Sequence, residues 1–287
     1  MNYMKNVLLI GTTGYLGPKL TKQLLNDGVN VYTINRREPE LKATKDFVMR
    51  DFTNEKALIE DILTSYSITT LVNLAWVGSY GKARFDKDIQ MSNYTTATFL
   101  VDLLKNKDIH FINFGTISER IRNEKGEVVS EYGAAKREVT KMLCRAYKTD
   151  YKNLAQVTLG NVFGGEDKTN RFVSMILSRL MKNEDISVFS DGEQNFYPVF
   201  VNDFSSALSR IIRHKKYGGI ILSGEVISMK EFLDTAKSAL KSTSEITYGA
   251  VHEDTPAPFS IDDLKPDFYL SEAIQLTAKK LKEQEDY

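Results

Sequence analysis

The sequence is poor in the residues that build disulfides and metal centres. One cysteine, Cys144, stands among 287 residues. No internal disulfide can form, which suits a reducing compartment. Cys144 lies amid helix-forming residues and reads as a small core side chain. The three histidines, His110, His214 and His252, are scattered with no metal-ligand spacing, so no metal site is expected. No apolar run reaches the length of a membrane span. The opening "MNYMKNVLLIG" has one basic residue and too short an apolar stretch for a signal peptide. A soluble, cytoplasmic protein without a membrane partner is expected. Excess charge is absent too: 38 Lys plus Arg balance 38 Asp plus Glu. That argues against a protein that neutralises many phosphates of a nucleic acid.

What is present is alternation. "NVLLIG" is a continuous apolar run ending in glycine, the pattern of a strand buried on both faces. "YLGPKLTKQLLNDG" then follows a helical period, with Leu16, Leu20 and Leu24 on one face and Gly28 as its stop. "VNVYTIN", "DFVMRDF", "TTLVNLAW", "HFINFG" and "LAQVTLGNVFG" read as five more strands. Helices are expected over "NEKALIEDILTSY", within Asp86 to Asn106, and from Tyr132 to Tyr147. The order implies parallel strands joined by helical crossovers. The expected fold is α/β: a Rossmann-type doubly wound parallel sheet over 1–160, with a small C-terminal substrate lobe over 161–287 interleaved with the end of the sheet. Ligands of such sheets bind at the carboxyl ends of the strands.

The loop "IGTTGYLG" joins the first strand to the first helix, with Gly11, Gly14 and Gly17 three apart. Such glycines permit unusual backbone angles, close approach to a pyrophosphate, and tight packing of helix on strand. The helix N-terminus offers amides and partial positive charge to phosphates. Gly11, Thr13, Gly14, Tyr15, Leu16 and Gly17 are therefore candidate dinucleotide contacts. NAD-binding chains usually carry an acid at the end of the second strand. Here Asn35, Arg36 and Arg37 take that place and the first acid is Glu38. Guanidinium groups match a 2′-phosphate, which favours NADP(H) over NAD(H).

In "YGAAK" a tyrosine, Tyr132, stands four residues before Lys136, on one face of a helix. Together with "GTTGYLG", "RDF", "LVNLAW", Asn93, "LGNVFG" and "YPVFVNDFSSAL", it resembles the extended short-chain dehydrogenase/reductases over nearly the whole chain. The resemblance implies roles by position. Asp51 and Phe52 touch the adenine. Leu74, Ala75 and Trp76 line the cofactor's path, and Asn93 belongs to the same set. Tyr132 is the catalytic acid or base, Lys136 binds the nicotinamide ribose, and Thr116 holds the substrate oxygen. Tyr80, Ile117, Ser118, Asn161 and Arg171 are candidate substrate contacts. A tyrosine ionises near 10, and bringing it to about 7 takes about 4 kcal/mol at about 1.4 kcal/mol per pH unit. A nearby lysine cation supplies attraction of that kind.

The family's dehydratases carry an Asp-Glu pair directly after the threonine. This chain has Ile117 and Ser118 there, with Glu119 one place late. The expectation is therefore NADPH-dependent reduction of a 4-keto group on a nucleotide-diphosphate-activated deoxysugar or heptose, in surface-polysaccharide synthesis, by a homodimer. An epimerase of the same family, a non-catalytic dinucleotide-sensing subunit and a reductase of a small carbonyl are the alternatives. Arginines that the family places on the substrate diphosphate are replaced by Phe196 and Thr158, leaving Arg171, Lys168 or Arg120 to hold the phosphates.

Overall fold

The computed structural model describes residues 5–121, 126, 128–147, 152–165, 171–251 and 267–285. Elements alternate as β1 (Asn6–Ile10), α1 (Gly17–Asn26), β2 (Asn30–Asn35), β3 (Lys45–Val48), α2 (Lys56–Ser65), β4 (Thr70–Asn73), α3 (Lys87–Leu104), β5 (His110–Thr116), α4 (Glu131–Tyr147) and β6 (Leu154–Leu159). There follow β7 (Asn161–Phe163), α5 (Phe172–Met181), β8 (Ile186–Ser190), β9 (Asn195–Phe196), β10 (Pro198–Phe200), α6 (Val201–His214) and β11 (Gly218–Leu222). The chain closes with β12 (Ile227–Ser228), α7 (Met229–Leu240), β13 (Ile246–Val251) and α8 (Leu270–Glu285).

Seven strands form the main sheet in the order β11-β6-β5-β4-β1-β2-β3. β1 pairs in parallel with both β2 and β4, so the winding direction reverses beside it. That reversal opens a crevice at the carboxyl end of β1, where the glycine loop begins. The doubly wound α/β expectation holds. β4 and β5 are buried along their whole length, which the sandwiching helices require. Leu20 and Leu24 of α1 are fully buried. Each contributes about 1.5–3 kcal/mol relative to exposure.

Two departures from the sequence pattern have clear causes. "LAQVTLGNVFG" is two strands, because the chain turns at Gly160. A Cβ on Gly160 would lie 2.3 Å from the Tyr197 carbonyl oxygen, and its N–H donates to the Leu222 carbonyl at 3.0 Å. β6 stays in the main sheet, while β7 pairs in parallel with β10. The third strand stops at Val48, four residues before Phe52. The Asp51 carboxylate accepts from the Thr53 N–H at 3.1 Å and caps a short 3₁₀ turn over Phe52–Asn54.

The chain divides into two compact units. The first comprises 1–119, 130–158 and 205–220 and holds most of the main sheet; the second comprises 120–129, 159–204 and 221–287. The second has its own aromatic core, in which the Phe196 ring lies 4.5 Å from Phe232 and Phe163 lies 5.9 Å from Phe200. Its helix α7 opens on a capping box: the Ser228 hydroxyl accepts from the Glu231 N–H at 3.0 Å and the Glu231 carboxylate from the Ser228 N–H at 2.7 Å. Among the described residues, no helix is long and apolar enough to cross a membrane, and no group of three or more His, Cys, Asp or Glu could hold a metal.

Candidate active site

The glycine loop is shaped by two close approaches. Gly11 has φ +86°, and a Cβ there would lie 2.8 Å from the backbone of Ala75 at the end of β4. A Cβ on Gly17 would lie 2.2 Å from the Thr12 carbonyl oxygen, so only glycine lets α1 start so close to β1. Gly14 is exposed and its Cβ position meets only ordinary contacts. Leu16 precedes α1 without a side-chain cap, and no acid lies in the first turn. In the first turn Gly17 and Leu20 donate to the Gly14 and Leu16 carbonyls at 3.2 and 3.1 Å and Pro18 has no N–H, so the Lys19 amide and the positive end of the helix are what the cradle offers a dinucleotide pyrophosphate.

Asn35 braces this loop from below. Buried at the end of β2, its amide oxygen accepts from the Thr12 hydroxyl at 3.0 Å and the Thr13 N–H at 3.3 Å. Its Nδ2 donates to Thr33 at 3.0 Å. Arg36 and Arg37 are exposed next along the chain and make no hydrogen bond or ion pair among the described residues. The nearest acid, Glu38, is tied to Lys42 at 2.6 Å. Asp51 is exposed at its turn, and Phe52 packs edge-on to Phe99 at 5.9 Å.

A second cluster is built on β4, β5 and α4. Lys136 is buried, and its Nζ donates to the Phe114 carbonyl at 2.6 Å and sits 3.7 Å from the centre of the Trp76 ring. Burial pulls its ammonium down to about 7, and the Glu119 carboxylate pushes back up. A desolvated cation on a tryptophan face is worth on the order of 2 kcal/mol, which offsets part of that burial. Tyr132, one turn earlier on α4, meets Trp76 edge-to-face at 6.0 Å. Thr116 ends β5, buried, with its hydroxyl accepting from the Ser118 N–H at 3.3 Å. Its own N–H donates to the Glu119 carboxylate at 2.9 Å. Ile117 is buried beside it.

The loop after β4 is pinned from α3. Asn93 pairs with both backbone groups of Val77, at 2.9 and 2.8 Å. Gln90 accepts from the Trp76 indole at 3.0 Å and donates to the Gly78 and Ala83 carbonyls at 2.8 and 2.9 Å. Ala75 takes its position from Asn73, whose amide oxygen accepts from the Ala75 N–H at 3.2 Å. Leu74 donates its N–H to Ile10 at 2.9 Å.

The chain as a whole is similar to known proteins. The model of the NAD dependent epimerase/dehydratase family matches residues 7–223. The chain belongs to that family. As a member of the epimerase/dehydratase family it is an NAD(P)-dependent enzyme of the extended short-chain dehydrogenase/reductase type. It is 24% identical over 255 residues to CDP-abequose synthase of Salmonella muenchen, covering 86% of this chain and 85% of that one. It is 25% identical over 186 residues to dTDP-6-deoxy-L-talose 4-dehydrogenase (NAD(P)(+)) of Kitasatospora kifunensis, covering 61% of this chain and 58% of that one. In fold it is similar to dTDP-glucose 4,6-dehydratase from Bacillus anthracis in complex with NAD, with a TM-score of 0.79, 15% identity and 98% of each chain covered.

The epimerase/dehydratase fold gathers Thr116, Ser118, Tyr132, Lys136 and Trp76 within the first unit. Tyr80 lies there too, exposed. Asn161 and Arg171 belong to the second unit. The Asn161 amide oxygen accepts from the Tyr197 N–H at 3.3 Å, which caps the β7–β10 pair. Arg171 precedes α5 in an extended conformation. Phe196 is buried in the aromatic core, so no cation can stand at that position; Lys168 lies outside the described residues. The sequence reading did not find Arg84. Its guanidinium lies 4.7 Å over the Tyr132 ring and donates to the Ser118 hydroxyl at 2.8 Å and the Ser79 carbonyl at 3.1 Å. Nothing in "GKARFDKD" marks it, because the contact is made across three separate segments.

Proposed function

We propose that the enzyme reduces a 4-keto group on a nucleotide-activated deoxysugar or heptose, in the cytoplasm, with NADPH as reductant and in the service of surface-polysaccharide synthesis. The observation that carries this reading is the packing of Tyr132 and Lys136 around Trp76 beside β5, with Thr116 at the strand end. Gly11, Thr13, Gly14, Tyr15, Leu16 and Gly17 would hold the pyrophosphate. Asp51 and Phe52 would meet the adenine, and Leu74 and Ala75 the length of the cofactor. Asn35 and Asn93, whose amides are engaged with their own chain, support that cradle from beneath. Arg36 and Arg37, exposed and without partners among the described residues, match a ribose 2′-phosphate in charge and geometry.

When bound, the reduced nicotinamide supplies the hydride. The chain's own residues then handle the oxygen and its proton. Thr116 donates to the carbonyl oxygen and polarises it. Tyr132 delivers the proton to the forming alkoxide, and the Lys136 cation lowers the cost of leaving a phenolate behind. Glu119 is an unsuitable elimination base, since its carboxylate is buried and committed to the Thr116 N–H at 2.9 Å. The nucleotide-sugar class is supported by the relatives described above, a CDP-sugar and a dTDP-sugar enzyme. A homodimer is part of the proposal by analogy alone.

Turnover of NADPH and NADH against a panel of 4-keto nucleotide sugars tests the reading. The expected result is cofactor oxidation with at least one of them, faster with NADPH. Steady epimerisation with neither cofactor consumed would replace reductase by epimerase.

A further inference from the structure

Arg84 is the charged group around Tyr132 that the roles above leave unused. It comes from a short 3₁₀ turn, Lys82–Phe85, between β4 and α3. Its guanidinium lies over the phenol ring, 4.7 Å from the centre. Two N–H groups fix it there, one on the Ser79 carbonyl at 3.1 Å and one on the Ser118 hydroxyl at 2.8 Å. Ser118 stands two residues past Thr116, whose hydroxyl in turn accepts from the Ser118 N–H at 3.3 Å. One side chain thus joins the turn after β5, the loop after β4 and the head of α4. Tyr132 contacts both Arg84 and the edge-to-face Trp76.

We propose that Arg84 is a positioning residue for proton transfer: it fixes the Tyr132 ring at the head of α4 and favours the ring's ionised form. The inference rests on the reading of Tyr132 as the proton donor. A phenolate spreads its charge into the ring, so a cation over the face is attracted more strongly to the anion than to the neutral phenol. The reciprocal effect is present on the arginine: burial pulls its guanidinium down from its usual range, and the Tyr132 phenolate pushes it back up. Other charged groups bear on the same ring. Lys136 lies one turn along α4. Glu119, on the turn after β5, acts against it through Lys136. Glu131 is adjacent on α4 and exposed to solvent. Lys136 gives one cation on α4, and Arg84 a second from the turn before α3. A planar fork is needed for the stack and both hydrogen bonds together, which a lysine cannot supply.

Ultraviolet difference titration of the free enzyme, wild type against Tyr132→Phe, isolates the Tyr132 ionisation among the other tyrosines. An opposite charge within about 4–6 Å shifts an ionisation by about 1–3 pH units, and a partly exposed group sits at the low end. Arg84→Gln is expected to move the Tyr132 transition up by about one pH unit. Arg84→Lys keeps the charge without the fork and is expected to recover about half of that. The basic displacement in the kcat/KM profile should match, whichever substrate is used. A Tyr132 transition at the wild-type position in Arg84→Gln would overturn the proposal, even if activity fell. Should Arg84→Gln fail to fold, Arg84→Lys decides: an upward move supports it, and none overturns it. The titration needs no sugar and no cofactor. A failure of the proposed reaction therefore shows in the substrate panel alone, and a failure of this inference in the titration.

Discussion

At the scale of single residues, the chemistry depends on side chains whose polar atoms are engaged with the chain around the site. Asn35 is the clearest. Its place at the end of β2 suggested a cofactor contact, yet its amide serves Thr12, Thr13 and Thr33. Asn35→Leu would keep the volume while leaving the Thr12 hydroxyl and the Thr13 N–H without their acceptor. Buried groups left unpaired cost about 1–3 kcal/mol. Chemical denaturation should register a loss of that size, accompanied by weaker cofactor binding. Unchanged stability and affinity would show that the loop holds its shape without Asn35. The residues Gly11, Gly17, Tyr132 and Lys136 were legible because each carries a spacing signal. Arg84 was not, because it reaches Tyr132 and Ser118 only through segments that the fold brings to it.

At the scale of elements, the strand-helix alternation was readable because buried parallel strands are apolar throughout and the crossover helices are amphipathic. β1, β5, α1 and α4 fall where the apolar patterns put them. What escaped was one break set by a distant backbone and one strand end set by a local cap. The break at Gly160 depends on the Tyr197 carbonyl, and the end of the third strand on the Asp51 cap. The amides inside apolar runs were also passed over. Asn73 on β4 donates to Asn113 on β5 at 3.0 Å, Asn113 to Gln156 on β6 at 3.0 Å, and Gln156 to Thr140 on α4 at 3.0 Å. A polar line thus runs across three buried strands to the helix that carries Lys136. Isolated amides in "LVNLAW", "HFINFG" and "LAQVTL" are the signal that could have pointed to it, since a buried amide needs a partner.

At the scale of the whole molecule, balanced charge leaves no strong overall field, so pH acts through particular buried groups. His110 is the chief of these. It is buried at the start of β5, and one ring nitrogen bonds to the Lys216 carbonyl at 2.9 Å. Its Nδ1 has no partner among the described residues. Burial lowers its ionisation from 6.5 to about 4; the Lys216 carbonyl opposes this, and Lys215 and Lys5 add to it. Between those values the unfolded chain binds a proton that the folded chain refuses. Folding stability therefore falls as pH drops through 6.5, by about 1.4 kcal/mol per pH unit once the unfolded histidine is protonated. Urea unfolding at about pH 7 and about pH 5 should differ by about 2 kcal/mol, with the protein weaker in acid. Equal stability at both would mean that His110 is solvated or newly paired in solution.

In the proposed reaction Tyr132, Lys136 and Thr116 complete a net hydride transfer to a sugar carbonyl. Its most direct test is NADPH carrying deuterium on the transferring face, supplied with a 4-keto nucleotide sugar. Deuterium is expected on the product carbinol carbon, with one cofactor oxidised for each sugar reduced and a loss of at least about a hundredfold in rate in Tyr132→Phe. Deuterium retained on the cofactor while the sugar is inverted, or a Tyr132→Phe variant as fast as the wild type, would contradict it.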